Sequence, residues 1–123
     1  MELSYEMRKD HLRVVVAGAF QPERARIELA NVIRRSVDTG LTRILVDARG
    51  ITDTVPVSDR YELARQLADH AQARLRLAVV VEAMNRQTQT FEDTARNRGV
   101  AVRTTTSMPE ALAFLGLEQE PGA

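Results

Sequence analysis

At 123 residues, with 44% hydrophobic and 28% charged residues, the chain has the length and composition of one folded domain. Its 17 basic and 17 acidic residues cancel, which removes the basic excess that a general nucleic-acid binder uses to neutralise phosphates. It has no cysteine, so disulfides, thiol catalysis and thiolate zinc sites are excluded, and a reducing, cytoplasmic setting is expected.

No stretch approaches the roughly 20 apolar residues of a membrane span. Residues 1–10 mix acids with bases around no apolar centre, unlike a signal peptide. Residues 3–7 then alternate, with Leu3, Tyr5 and Met7 on one side and Ser4 and Glu6 on the other, the period of a half-buried edge strand. A polar turn at 8–11 leads into residues 12–20, whose β-branched run suits a strand buried on both faces. The two runs are close enough to pair as an antiparallel hairpin.

Gln21-Pro22-Glu23 opens a helix, because proline's missing N–H costs nothing at a first helical position. Ala25, Leu29, Val32, Ile33 and Ser36/Val37 recur at helical spacing, and Gly40 closes the element. Residues 41–46 read as a second buried strand, completing a βαβ unit that is right-handed by strong preference. The strand ends on Asp47. A polar loop, 48–57, carries Gly50, Asp53, Thr54 and Pro56, and a helix follows over 58–71 with Tyr61, Ala64, Leu67, Ala68 and Ala71 along one face. Open α/β sheets place their binding sites at such a strand, loop and helix start.

Residues 75–81 make a third buried strand, and Asn85 is placed to cap a polar helix over 86–98. Only Phe91, Ala95 and Thr88 form a stripe there, which predicts an edge helix touching the core through Phe91. Gly99 ends it and residues 100–104 form a short last strand. Ser107 and Glu110 match a capping box; Ala111, Leu112 and Leu115 face inward, and Gly116 stops that helix. The predicted organisation is one domain over 1–117, with 118–123 as a frayed tail. The predicted class is α/β: a mixed, mostly parallel sheet with an antiparallel N-terminal edge strand and about four helices.

That order resembles the STAS domain, the fold of anti-sigma-factor antagonists. Val14-Val15-Val16-Ala17-Gly18-Ala19-Phe20 is similar to its opening strand, and Ile44-Leu45-Val46-Asp47-Ala48-Arg49-Gly50-Ile51 to its strand, Asp, two residues, Gly segment. Gly99-Val100-Ala101-Val102-Arg103 with the helix from Ser107 resembles the closing elements of the SpoIIAA-like branch. The resemblance implies a bacterial, non-catalytic regulatory module that meets a protein partner, a kinase or an anti-sigma-like protein, or a second copy of itself. It implies a contact surface in the 48–60 loop and the following helix. Antagonists carry Asp-Ser-Ser/Thr-Gly at this helix start, and here Val55-Pro56-Val57-Ser58 stands in its place. The alternative is a domain that binds or senses a small lipid or nucleotide, with the polar third helix as its lid.

The residues singled out for partner binding or phosphorylation are Asp47, Asp53, Thr54 and Ser58, with Thr52 beside them. A phosphate near a helix N-terminus is favoured by the dipole, while serine there also serves as an ordinary cap. Asp47 and Asp53 form a conceivable carboxylate pair, and each is equally a loop acceptor or turn residue. His11 and His70 share no ligand spacing, so no metal site, cofactor or catalytic set is expected. Arg24, Arg34, Arg35, Arg60 and Arg65 are candidates for anion recognition. For most, an acid three or four positions away (Glu28, Asp38, Asp69) makes intrahelical pairing the plainer reading.

Overall fold

The computed structural model describes residues 1–117, so the predicted tail at 118–123 lies outside the described residues. Five strands, β1 (Glu2–Met7), β2 (Leu12–Gly18), β3 (Arg43–Ile51), β4 (Arg76–Val80) and β5 (Ala101–Thr105), form one sheet. Four helices accompany them, α1 (Pro22–Thr39), α2 (Val57–His70), α3 (Arg86–Asn97) and α4 (Met108–Leu115). The strands lie in chain order, β1-β2-β3-β4-β5. β1 runs antiparallel to β2, and every other pair is parallel. This is the class expected from the sequence.

Right-handed crossovers between parallel strands that advance in one direction must put their helices on one side. α1, α2 and α3 accordingly share a core with the inward residues of β1 to β5, through Val32 and Ile33, Ala64 and Leu67, and Ala95. α4 covers the other face, where Ala111, Leu112 and Leu115 pack on Leu45, Ala78 and Val80.

Local chemistry explains the ends of the elements. Gly40 and Gly116 adopt the left-handed conformation that stops α1 and α4. Asn85 accepts from the Thr88 N–H while the Thr88 hydroxyl accepts from the Asn85 N–H, a complete capping box. Ser107 accepts from the Glu110 N–H as expected. The Glu110 carboxylate turns instead to Arg103 and Thr105, at 3.2 and 3.0 Å.

Two elements depart from the sequence reading. β3 continues to Ile51, so Asp47 is a mid-strand residue and the loop shrinks from 48–57 to residues 52–56. The register against β2 slips by one residue between Val15 and Ala17, which marks a bulge in β3. Just past it, Gly50 runs so close to β2 that an added Cβ would lie 2.8 Å from the Ala17 Cβ. The second departure is α3, which holds to the fold by more than Phe91. Ala95 and Thr88 are buried, and the buried Glu92 carboxylate accepts the Thr104 N–H of β5 at 2.6 Å and the Gln89 side-chain amide at 2.6 Å.

Gly50→Ala is expected to destabilise the protein by about 1–3 kcal/mol, the usual cost of overpacking. Urea unfolding checks it, and an unchanged midpoint would show that the two strands separate at no cost.

Candidate functional site

Inward-facing residues change along each parallel strand. At the strand starts they are sealed: Leu12 and Val14 on β2, Ile44 on β3, Leu77 on β4 and Val102 on β5 are at most 2% exposed. Toward the C-terminal ends they become Val16, Val46, Ala48 and Val79, all only half-buried. The helix layer does not close over this end of the sheet. A cavity of about 350 Å³ results, between the sheet and α1, α2 and α3. That volume lies within the range of small-molecule sites, roughly 300–1,000 Å³.

Its walls are mostly apolar. Leu29 and Val32 of α1, Leu63 of α2 and Phe91 of α3 face the valines of the sheet, with Leu3 of β1 along one side. The end of β3 and the loops after β3 and β4 close its rim, with Ile51, then Asp53, Thr54 and Val55 from one and Val81, Glu82 and Ala83 from the other. The cavity therefore opens where parallel α/β sheets bind ligands, beyond the C-terminal ends of their strands.

Polar groups at the cavity are largely engaged. The Tyr5 hydroxyl donates to Glu28, and burial together with that carboxylate pushes the phenol above its ordinary range. Arg35 lies over the Tyr5 ring at 4.3 Å. Asp53 Oδ1 accepts the Phe20 N–H at 2.8 Å, and the Thr52 N–H donates to the Gly18 carbonyl at 3.1 Å. These two bonds latch the loop after β3 to the loop after β2. Thr104 keeps a buried hydroxyl with no partner among the described residues.

Arg60 is different. Its Nε donates to the Val55 carbonyl at 3.1 Å, and among the described residues no carboxylate pairs with it. Burial alone pulls its proton affinity below the usual arginine range.

The structure separates the residues singled out from the sequence. Asp53 and Thr54 line the cavity, whereas Asp47 lies on the opposite face of the sheet, beside Leu45. There it accepts from Arg49 Nε and a terminal nitrogen at 2.9 and 2.8 Å, with Arg13 at 3.9 Å. Those Arg49 bonds hold its carboxyl below the usual carboxylate range. Asp47 and Asp53 thus form no pair. Ser58 is exposed in the first turn of α2, where Pro56 rather than a serine occupies the cap position. Thr52 is also exposed. The expected helix pairs rearrange as well: Arg65 meets Glu62 at 3.5 Å, and Glu28 is taken by Tyr5. Sequence reasoning grouped Arg60 with these solvated arginines. Its neighbours three and four positions away, Pro56, Val57, Leu63 and Ala64, include no acid, and that was the available signal.

Among the described residues, no group of three or more His, Asp or Glu side chains is arranged to hold a metal, and no helix is long and apolar enough to cross a membrane.

Fold and site together define a mixed α/β domain with an apolar cavity at its strand ends. A solved structure of this fold is the NMR structure of the protein TM1081. The two agree with a TM-score of 0.54 at 13% identity, over 96% of this chain and 91% of that one. No family model and no curated protein matches the chain.

Asp47→Asn is expected to cost about 1–3 kcal/mol at neutral pH, because it removes a doubly bonded carboxylate. A depressed carboxyl pKa stabilises the fold above the unfolded value, near pH 4, and that contribution fades as pH falls through the folded value. Urea midpoints of wild type and variant should therefore differ at pH 5–8 and converge in acid; a constant gap would contradict the assignment.

Proposed function

We propose that the protein is a non-catalytic binding module whose cavity takes a small, largely apolar ligand. One observation carries this reading: the core is sealed at the strand starts and opens at their C-terminal ends, beneath three helices. The apolar walls reach solvent through the opening, and a ligand that covers them gains about 25 cal/mol for each Å² of apolar surface removed from water.

The rim gives the reading a regulatory side. Residues 52–56 form both the cavity wall and an exposed surface bearing Thr52 and Thr54, with Ser58 just beyond. The resemblance to STAS antagonists supports a partner protein docking on this segment. A ligand under the loop would bias the surface that the partner meets.

The test is fluorescence titration with N-phenyl-1-naphthylamine, a neutral apolar probe. Wild type should enhance its emission saturably. Val79→Phe, which fills the cavity from β4, should weaken binding at least about tenfold while the melting temperature holds or rises. Equal affinity in the two proteins, or no binding by wild type, would overturn the reading.

A further inference from the structure

We infer that the ligand is an amphiphile with a single negative charge, a carboxylate, and that Arg60 holds its head. The inference rests on the cavity being a binding site and adds the chemistry of what enters it.

Arg60 is a cation partly removed from water with no anion to offset the loss. Among the described residues no carboxylate forms an ion pair with it, and burial lowers its proton affinity. A desolvated charge without a counter-ion is costly unless something completes it. The acids sharing the cavity wall do not serve. Glu28 accepts from Tyr5 and Asp53 accepts from the Phe20 N–H. Glu82 is exposed.

The Arg60 bond to the Val55 carbonyl fixes the guanidinium by its Nε. The two terminal nitrogens are left as a fork, the geometry that matches a carboxylate with two parallel hydrogen bonds. Charge count selects among anions. The wall also carries the carboxylates of Glu28, Asp53 and Glu82, and their repulsion of a dianionic phosphate is about twice that of a monoanionic carboxylate, so the carboxylate keeps more of the attraction to Arg60. The apolar remainder of the ligand has its partners in Leu29, Val46, Val79 and Phe91.

Competition against N-phenyl-1-naphthylamine at neutral pH tests the inference with four ligands of equal chain length: octanoate, octan-1-ol, octylamine and octyl phosphate. Wild type should prefer octanoate over each of the others by about tenfold or more, the scale of a charge-assisted hydrogen bond. Arg60→Gln should bind octanol as wild type does and lose the preference for octanoate. Arg60→Lys, which keeps the charge without the fork, should retain part of it. If octanol competes as well as octanoate in wild type, or if octylamine or octyl phosphate wins, the head-group assignment is overturned while the cavity reading stands. A preference for octanoate that survives in Arg60→Gln also overturns it. If wild type binds neither the naphthylamine nor any octyl ligand, the cavity reading falls and takes this inference with it. Should Arg60→Gln fail to fold, the wild-type ranking and Arg60→Lys decide the question.

Discussion

Three crossovers between parallel strands, all advancing in the same direction, are the constraint behind this molecule. They commit α1, α2 and α3 to one side of the sheet and leave α4 alone on the other, over β3, β4 and β5. Inward side chains must then fill the space beneath three helices at once. Leu12, Val14, Ile44, Leu77 and Val102 do so at the strand starts. At the strand ends Val16, Val46, Ala48 and Val79 do not fill it, and close packing gives way to a cavity. On the α4 face of β1 and β2, Ser4 and Glu6 are exposed, while Arg13 and Arg49 turn to the buried Asp47 of β3.

Charge in this protein is used mainly to hold elements together. Asp47 ties Arg49 and Arg13 across neighbouring strands. Glu92 clamps α3 to the backbone of β5, a strand that pairs on one side only. Asp53 joins two loops, and Glu28 joins α1 to β1. Against that background the half-buried guanidinium of Arg60, with no carboxylate partner among the described residues, is an exception, and it stands at the wall of the apolar cavity. Buried charge is tolerated where function needs it, which is why this exception points outward to a ligand.

Much of the architecture was legible along the chain. Period-two alternation marked β1, β-branched runs marked the buried strands, and Pro22, Gly40, Asn85, Ser107 and Gly116 bounded helices through chemistry that acts within a few residues. What escaped depends on distant groups. Asp47 read as a strand-ending residue because the continuation of β3 to Ile51, and with it the Arg13 contact, exists only once β2 and β3 pair. Glu92 lies in a helix that read only as polar, and the donor that accounts for its burial comes from β5. Phe20 and Asp53 lie 33 positions apart, so their latch leaves no local trace. The cavity is harder still to foresee. Val16, Val46 and Val79 look like ordinary core residues, and only the sheet aligns them at the same end. Arg60 was partly legible, since no acid stands one helical turn away from it, yet its burial follows from the loop at 52–56.

The central claim is that the space above Val46 and Val79 admits an apolar molecule. Intermolecular NOEs between methyl-labelled protein and unlabelled N-phenyl-1-naphthylamine test it most directly. Contacts from the probe to the methyl groups of Leu29, Val46 and Val79 are the result expected of an occupied cavity. Contacts confined to exposed side chains such as Ile27 and Val37, with those three methyl sets silent, would show that the interior is closed.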